Sequence, residues 1–338
     1  MSMTIKDLAR LSGYSLGTVS RVLNNQPNVS QRARDTIMKI VEAEGFELNA
    51  NAKNLKQQQG NSVLAIVKGR ANELFSDLVE QIQGLTEAGD TPLLLHYLDE
   101  GENEVRQAIQ LCREKKPRGL LFLGGEGDNF RADFGAIHVP AVLVTNSAAA
   151  LDIPNLSSVT TDDAAAAHRA MCFLLEQGHR ELAVIGGCYE SSQISSLRYA
   201  GCRQALRDFG CEEHCRYESV RFAFGEGYAA MERILASGAP VTAVFAMADV
   251  LAIGAIRCIR DHRLRVPEDI SVMGFDGLCV GRYYDPKLTT IRQRTDRMAA
   301  DCVQVLREAL EGAPARHLTV PYELDVLESV AVPRIGRA

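Results

Sequence analysis

Residues 4–25 have the sequence TIKDLARLSGYSLGTVSRVLNN, and the first part of the fold follows from this stretch. Thr4 with an acidic residue three positions later is typical of a capped helix start, and the apolar spacing that follows predicts a helix over about residues 5–11. Residues 12–14 (SGY) are typical of a tight turn. Ser15 can cap a second helix, so the stretch predicts two short helices joined by a glycine-containing turn, which is a helix-turn-helix.

The second predicted helix has a polar outer face. Its outer positions carry small hydrogen-bonding groups around one arginine, as contacts with phosphates and base edges in a DNA major groove require. Polarity alone leaves open that this face is only solvated. After a short loop, a third helix is predicted from a serine cap to Gly45. The residues of the outer face are Ser15, Gly17, Thr18, Ser20, Arg21 and Asn24.

The order of these residues closely resembles the opening of the lactose/galactose repressor family of bacterial transcription factors. In that family a first helix is followed by a recognition helix with the pattern T-V-S-R-V-L-N, and the same string begins here at Thr18. The similarity continues through Val29-Ser30 and Gly45-Phe46. The resemblance implies that residues 1–46 form a domain that binds double-stranded operator DNA, and it adds Thr4, Leu16 and Ser30 to the expected contact residues.

Residues 47–61 resemble the hinge helix and linker of the same family, in which Asn49, Ala52 and Leu55 match the family pattern. A helix of about eight residues is not stable alone in water, so we expect this one to form only when a partner and DNA supply contacts. The resemblance implies that all three residues contact DNA and that Leu55 inserts between base steps of the minor groove and bends the duplex. The alternative is that Leu55 is a single apolar residue in a polar linker.

From Val63 onward, short apolar runs alternate with amphipathic segments of helical length. This order predicts an α/β body with parallel sheets, built as two lobes. Ligands bind such sheets at the carboxyl ends of the strands, so we expect a ligand site in the cleft between the lobes. The predicted strands are 63–67, 93–97, 119–123, 141–145, 182–186, 219–222, 243–246 and 270–275, followed by a strand, a helix and two short strands over residues 288–337.

The body resembles the effector domain of the same family, which is itself similar to periplasmic sugar-binding proteins. Three strings carry the resemblance: EQGHRELAVIGG (176–187), SSLRYAGCRQAL (195–206) and VPEDISVMGFDG (266–277). The resemblance implies a small-molecule effector, a sugar or another small polar metabolite, in the cleft between the lobes. The residues that it assigns to the effector are Phe75, Asn146, Arg198, Phe222, Asp276 and Gln293.

The chemistry of these side chains suits a small polar ring. A forked guanidinium and a carboxylate can bind hydroxyl groups, and an aromatic face can stack on the ring. The alternatives are that Arg198 forms an ion pair on a helix surface and that Asp276 caps a turn. Ala248 departs from the family, which often has an asparagine in contact with sugar at this position.

Composition places the chain among globular proteins. Its 338 residues are 46% hydrophobic and 24% charged, which argues against a disordered, collagenous or coiled-coil protein and favours two or three domains. The net charge of -6 divides into +3 for the first 60 residues and -9 for the rest, a basic head on an acidic body. We expect the nine cysteines to be free thiols, and the absence of a signal peptide and of a membrane-spanning run predicts a cytoplasmic protein.

Other possible sites were compared with this interpretation. Residues 124–127 (GGEG) follow a strand, but their spacing is not that of a dinucleotide-binding loop. Cys211, His214 and Cys215 form only one tight group, which does not match zinc-finger spacing. The pair at residues 162–163 (DD) precedes a helix and is expected to cap it. We therefore predict no cofactor, no metal and no catalytic residue.

The sequence thus predicts a helix-turn-helix head and an α/β body of the periplasmic-binding-protein type. The predicted function is a sequence-specific transcription regulator, a repressor that binds a pseudo-palindromic operator as a homodimer under the control of a small-molecule effector. The alternative is a cytoplasmic small-molecule-binding or enzymatic α/β protein whose head is a protein-interaction module. The expected domains are 1–46, 47–61 and 62–338, with a first lobe of about 62–160 and 291–317 and a second of about 161–290 and 318–338.

Overall fold

The structure is a computed structural model, and it describes residues 5–23, 29–44, 60–69, 72–89 and 91–334. The chain divides into two compact units, Met1–Gln59 and Gly60–Ala338. We refer to these units as the head and the body. The residues expected to contact DNA at Thr4, Asn24, Asn49, Ala52 and Leu55 lie outside the described residues.

The head is a small helical bundle in the part of it that the structure describes. Three helices pack around an apolar core formed by Leu8, Val19, Val22 and Ile37. The turn between the first two helices contains Gly13, whose φ of +73° is a conformation that glycine adopts without steric cost. The helix-turn-helix prediction is confirmed, and its helices are α1 (Ile5–Ser12), α2 (Leu16–Leu23) and α3 (Gln31–Ala43).

The first lobe of the body contains a six-stranded parallel sheet in the order β11-β5-β4-β3-β1-β2. Its central strands are continuous apolar runs with both faces buried, which is typical of parallel sheets covered by helices. The strands are β1 (Val63–Lys68), β2 (Leu93–Leu98), β3 (Gly119–Leu123), β4 (Ala141–Val144), β5 (Leu156–Thr161) and β11 (His317–Val320), and the helices are α4 (Glu73–Glu87), α5 (Glu104–Lys115), α6 (Gly127–Asp133) and α12 (Thr295–Leu310).

The second lobe contains a six-stranded sheet in the order β12-β10-β9-β8-β6-β7, in which only β12 runs antiparallel to its neighbour. The predicted α/β fold class is confirmed. The strands are β6 (Leu182–Gly186), β7 (Cys215–Ser219), β8 (Ala243–Ala246), β9 (Ser271–Asp276), β10 (Thr289–Gln293) and β12 (Tyr322–Asp325), and the helices are α7 (Asp163–Glu176), α8 (Gln193–Asp208), α9 (Phe224–Ala236), α10 (Asp249–Asp261) and α11 (Cys279–Tyr283).

The chain passes between the lobes three times, and two passages differ from the expected lobe boundaries. The first passage, at Asp162, lies close to the expected one. Strand β10 was expected to begin the return to the first lobe at residue 291, but it pairs with β9 and β12, so the second passage follows Gln293. Strand β11 pairs with β5 in the first sheet, so the third passage comes at Pro321 rather than after residue 317. Sequence patterns do not carry sheet membership, since β10 and β11 are both short strands of mixed polar and apolar residues.

Strand β5 was not predicted, and one predicted strand lies at a different place. The run at 219–222 was predicted as a strand because it contains Val220 and Phe222, but β7 occupies residues 215–219 and pairs with β6. This strand lies at the sheet edge with only its inner face covered, so its residues alternate between polar and apolar instead of forming an apolar run. Phe222 lies beyond the strand and is free to contribute to the cleft.

Two predictions from composition can be compared with the structure. All nine cysteines are free thiols, as predicted. Within the ranges that the structure describes, no helix is both long enough and apolar enough to cross a membrane.

Candidate functional site

A cavity lies between the two lobes, where the strands of both sheets end. It is lined mainly by loops after the strands and by the first turns of the helices that follow, which is where ligands bind in α/β sheets. An inner cavity of about 100 Å³ adjoins an outer one of about 440 Å³. The inner cavity is lined by Asn72, Glu73, Leu74, Phe75, Thr145, Ser192, Ile194, Arg198, Phe222, Ala248, Val250, Asp276, Leu278 and Gln293.

The first lobe contributes an apolar wall whose main side chain is Phe75. Asn72 caps helix α4, because its side-chain oxygen accepts a hydrogen bond from the backbone N–H of Phe75 at 3.3 Å. The ring of Phe75 then lies against Gly124, where a Cβ atom would come within 3.0 Å of the ring. The cap fixes the start of the helix, and glycine at position 124 leaves room for the Phe75 ring in the wall.

The second lobe contributes Arg198, which is almost fully buried in the wall of the cavity. Its Nε donates to Asp163 Oδ1 at 2.7 Å, and its Nη1 donates to the backbone carbonyl of Met247. The guanidinium also lies over the ring of Phe275 at 3.6 Å from the ring centre. Arg198 is therefore part of a buried network, and the alternative of an ion pair on a helix surface is wrong.

Asp276 lies at the end of β9. Hydrogen bonds connect it to the first two of the three places where the chain crosses between the lobes. Its Oδ1 accepts a hydrogen bond from Gln293 Nε2 at 2.8 Å and lies 3.8 Å from Arg198 Nη2. Thr161 Oγ1 in turn donates to Gln293 Oε1 at 2.9 Å. Thr161 and Gln293 are the last residues of β5 and β10, so this chain of bonds links the cavity to two of the three connections between lobes.

A second buried carboxylate, Asp249, supports the floor of the cavity. It accepts hydrogen bonds from Thr290 Oγ1 and from the backbone N–H of Leu278, each at 2.6 Å. Ala248, which precedes it, is the N-cap residue of α10, and its methyl group cannot accept a capping hydrogen bond. The wall therefore has an alanine at the position where the family often has an asparagine.

The buried carboxylates of the cavity have raised pKa values. Burial raises the pKa of Asp276 to about 6, and the nearby charge of Arg198 partly offsets this effect. Burial also raises the pKa of Asp163 and raises that of Asp249 still further, with the charge of Asp276 adding to the rise for Asp249. Asp163 and Asp276 thus share one guanidinium in a space that is poorly solvated, and Asp249 is held by Thr290 and Leu278 instead.

Five of the six residues expected to bind an effector line the inner cavity, and these five are Phe75, Arg198, Phe222, Asp276 and Gln293. Asn146 is the exception. It is buried beside the cavity and contacts Thr145 Oγ1 at 3.2 Å, whereas Thr145 itself lines the wall. Thr145 has a φ of +76° at the end of β4, and this backbone conformation turns the chain so that residue 145 rather than 146 reaches the cavity.

Sequence reasoning missed several wall residues and the most important buried partner. Asp163 was assigned to helix capping, but it pairs with Arg198, whereas Asp162 caps helix α7 by accepting from Ala165 N at 3.0 Å. The two adjacent acids could not be told apart by residue type. Besides Thr145, the missed wall residues are Asn72, Glu73, Leu74, Ser192, Ile194, Val250 and Leu278, of which Asn72 and Ser192 carry a signal as asparagine or serine caps before helices.

The head presents a second candidate surface on helix α2. Ser15 caps this helix, because its Oγ accepts a hydrogen bond from the backbone N–H of Thr18 at 3.2 Å. Val19 and Val22 are buried, whereas Leu16, Gly17 and Arg21 are exposed. Ser30 caps helix α3 in the same way by accepting from Ala33 N. The outer face of α2 therefore offers the small polar and basic groups that a major groove accepts.

The structure does not support the competing sites. Residues 124–127 lie against protein groups, since the N–H of Glu126 donates to Glu104 Oε1 at 2.7 Å and a Cβ at Gly125 would collide with Phe130. His214 pairs with Glu181 at 3.1 Å. Across the residues with described positions, no group of three or more His, Cys, Asp or Glu side chains is arranged to hold a metal ion.

Comparison with known proteins agrees with both surfaces. Residues 4–49 match the profile of the bacterial regulatory proteins of the lacI family, and residues 171–330 match a periplasmic binding protein-like domain. The chain is 33% identical over 313 residues to the transcriptional regulator MalR of Clostridium butyricum, which covers 90% of this chain and 92% of that protein. It is 32% identical to the transcriptional repressor CytR of Escherichia coli K12, over 91% of this chain and 90% of that protein.

Solved structures show the same fold. A Lac repressor dimer bound to operator and the anti-inducer ONPF superposes with a TM-score of 0.77 and 22% identity, covering 98% of this chain and all of that one. A complex of the transcriptional regulator CelR with cellobiose gives a TM-score of 0.69 and 25% identity over 97% of this chain and 99% of that one. The chain belongs to the lacI family of bacterial regulatory proteins, and it is a DNA-binding transcription regulator rather than an enzyme.

Proposed function

We propose that this regulator represses transcription from a pseudo-palindromic operator in the cytoplasm, as a homodimer whose affinity for DNA depends on a small polar effector bound between the lobes. The observation that carries the proposal is the cavity, in which a guanidinium, a carboxylate and two phenylalanine rings surround a space at the junction of the lobes. Side chains of this kind bind a small polar ring by hydrogen bonding and stacking.

The relatives support the two ligands of this proposal. The Lac repressor structure contains operator DNA and the anti-inducer ONPF, and the CelR structure contains cellobiose. For the present chain, we assign operator contacts to the outer face of α2, with Arg21 as its basic residue, and effector contacts to Arg198, Asp276, Gln293 and the two phenylalanines. Asn146 is left out of this effector set because Thr145 takes its place in the wall.

Exposed apolar residues on both lobes support a homodimer. Leu95 and Tyr97 are each 39% exposed on β2, an edge strand of the first sheet. On the second lobe, Val280 and Tyr283 lie on α11, and Tyr283 is 86% exposed. Large exposed apolar side chains often mark interaction sites, and a two-fold dimer buries the same patch of each copy. We call these four residues the exposed apolar set.

The effector can change DNA binding only if it favours one arrangement of the lobes over another. The hydrogen bonds from Asp276 through Gln293 to Thr161 give a physical route from the effector to the arrangement of the lobes. A ligand that bonds to Asp276 is linked through Gln293 to two of the connections between the lobes. The direction of the response depends on which arrangement the effector favours. Release of operator and tighter binding are both compatible with this network.

The experiment has two steps with the full-length chain. Thermal stability is first measured against a panel of sugars, nucleosides, nucleobases and amino acids, where a ligand at about 100 times its Kd adds roughly 2.7 kcal/mol to the unit that binds it. The affinity for operator DNA is then measured with and without each ligand found. We expect at least a tenfold change in operator affinity. A ligand that stabilises the body and leaves operator affinity unchanged would contradict effector control.

A further inference from the structure

We propose that the cavity between the lobes selects an uncharged, hydroxyl-bearing ring compound and excludes the phosphorylated or carboxylated form of the same compound. This inference rests on the proposed function, because it takes the cavity to be the effector site. It adds the electrical character of the ligand, which follows from the balance of charges around the cavity.

Among the described residues at the inner cavity, acidic groups outnumber basic ones. Asp163, Asp249 and Asp276 are buried in or directly behind its walls, with exposures of 3%, 0% and 9%. Glu73 lies in the wall as well, and among the cavity-lining residues that the structure describes, Arg198 is the single Lys or Arg. A ligand that brings its own negative charge would add like charge to a poorly solvated space, which is unfavourable.

The guanidinium of Arg198 is already occupied by protein acceptors. Asp163 takes its Nε, the Met247 carbonyl takes its Nη1, and the Phe275 ring covers one of its faces. Nη2 lies 3.8 Å from Asp276 Oδ1. Because Asp163 takes Nε, the side-on fork of Nε and Nη2 is closed to a phosphate or carboxylate, and an anion at the other fork, Nη1 and Nη2, would lie beside the Met247 carbonyl and Asp276.

Three further basic residues near the cavity, all within the described ranges, are also paired with acidic side chains. Lys68 donates to Glu104 at 2.9 Å in a buried ion pair behind the first wall. In the outer cavity, Arg282 pairs with Asp325 at 2.7 Å and Arg292 pairs with Asp325 and Glu323. The outer cavity also carries Glu73, Asp77, Asp276 and Asp296, so a ligand meets an excess of acidic groups on its way in.

Helix N-termini attract anions, and three helices begin at this cavity. Two of these starts are already capped, since Asn72 accepts from Phe75 N in α4 and Ser192 accepts from Ser195 N in α8. The third, α10, has Asp249 as its first residue, so a buried carboxyl group already lies at its positive end. The helix starts therefore offer an incoming anion little compensation for the carboxylates.

Hydroxyl groups suit the same arrangement. Asp276 meets Gln293 and Arg198 through Oδ1, and among the described residues this leaves Oδ2 as an acceptor for a ligand O–H. The rings of Phe75 and Phe222 supply apolar faces for a ring compound. An uncharged donor of hydrogen bonds thus satisfies the acidic groups that would repel an anion.

Calorimetric titration of the full-length chain with matched pairs tests the inference. The probes are D-ribose and ribose 5-phosphate, D-glucose and glucose 6-phosphate, cytidine and cytidine 5′-monophosphate, and D-galactose and D-galacturonate. Where either member of a pair binds, we expect the Kd of the uncharged member to be at least about a hundredfold lower than that of the charged member. Equal or tighter binding of the charged member would overturn the inference.

Asp276→Asn provides a second readout, with Asp128→Asn as the matched control. Asp128 is exposed on α6 and pairs with nearby Arg131, so its replacement removes one charge away from the cavity. We expect the preference for the uncharged member to fall at least tenfold in Asp276→Asn and to be unchanged in Asp128→Asn. An unchanged preference in a folded Asp276→Asn would contradict the role of this charge. If that variant does not fold, the titration of the unmodified chain still decides.

The outcomes also separate this inference from the proposed function. If a charged probe binds more tightly and alters operator affinity, effector control stands and only the inference on charge fails. If no probe binds while the chain still binds its operator, the proposed effector control fails and the inference fails with it.

Discussion

At the scale of single residues, Arg198 has a structural role that does not depend on a ligand. It neutralises Asp163, contacts Asp276 and holds the carbonyl of Met247, so it keeps two strand ends and the start of α7 together around the cavity. A buried guanidinium in such a network cannot be removed without leaving carboxylates unpaired. The residue is therefore expected to matter for stability as well as for recognition.

Replacing Arg198 with leucine should lower the free energy of unfolding of the body by about 3–5 kcal/mol, because the carboxylates of Asp163 and Asp276 lose their buried partner. Arg169→Leu is the matched control, since Arg169 forms an exposed ion pair with Glu176 and should change stability by about 1 kcal/mol or less. Urea unfolding measures both. Equal losses in the two variants would mean that the buried network contributes nothing of its own.

Asp276 should make stability depend on pH in a predictable direction. Its folded pKa of about 6 lies above the value of 3.8 for an unperturbed aspartate, so between these values the folded state binds more protons than the unfolded state. Stability contributed by its protonated form is present at low pH and is lost as pH rises through about 6. Asp163 and Asp249 have raised pKa values and act in the same direction, while Arg198 acts against them.

Asp276→Asn removes the contribution of Asp276 to the pH dependence of stability. The free energy of unfolding should fall as pH rises from 5 to 7.5. We expect this fall to be about 1–2 kcal/mol smaller in the variant than in the unmodified chain. Urea unfolding of both proteins at the two pH values provides the comparison. A parallel pH dependence would show that Asp276 titrates as an ordinary aspartate.

At the scale of elements, helix α2 combines a buried face that packs the head with an exposed face for DNA. Val19 and Val22 hold it against α1 and α3, while Arg21 projects from the last turn of the opposite face. Because the apolar contacts orient the helix, the exposed residues keep a fixed direction when they meet a duplex. A single exposed residue can then be tested without disturbing the fold.

Arg21→Ala should cost about 1–3 kcal/mol of binding to a selected operator, with a much smaller loss on random duplex DNA. Arg10→Ala, on α1, is the control because it removes the same charge from the head. Fluorescence anisotropy titrations with both duplexes measure the four affinities. Equal losses on operator and on random DNA would assign Arg21 to phosphate contacts alone.

Much of the element level could be predicted from the sequence, and the failures have identifiable physical causes. Apolar runs located most of the buried strands, because strands covered on both faces contain little else. Buried β5 was missed, because its sequence LSSVTT consists mainly of serine and threonine. The edge strand β7 was placed four residues too late, since an edge strand needs only one apolar face. The sheet membership of β10 and β11 depends on long-range pairing, which has no local signal.

The candidate site shows the same division. Arg198, Asp276, Gln293 and the two phenylalanines could be named because their neighbours in sequence resemble a family pattern. Thr145 could not, because its place in the wall depends on a left-handed backbone turn at the end of β4. The pairing of Arg198 with Asp163 joins α8 to α7 and likewise leaves no trace in the local sequence.

At the scale of the whole molecule, binding to a pseudo-palindromic operator requires two copies of the chain, since such an operator presents two half-sites. The exposed apolar set on the body is the candidate contact. Tyr283→Asp places a charge on its most exposed member, so we expect the dimer dissociation constant to rise at least tenfold, with a matching loss of operator affinity. Val326→Asp, outside the set, is the control for an added charge, and its residue is also well exposed.

Sedimentation equilibrium of both variants gives the dissociation constants. If Tyr283→Asp remains as dimeric as the unmodified chain while Val326→Asp does not, the dimer contact lies elsewhere on the body.

The central claim is sequence-specific binding of DNA, and selection of duplexes from a random pool by the full-length chain tests it most directly. The affinity for the selected duplex and for a scrambled version is then measured at near-physiological salt. We expect a selected sequence with two related half-sites and a preference of at least about a thousandfold over the scrambled duplex, with affinity for both falling as salt rises. A pool without an enriched sequence, or equal affinity for the two duplexes, would contradict the claim.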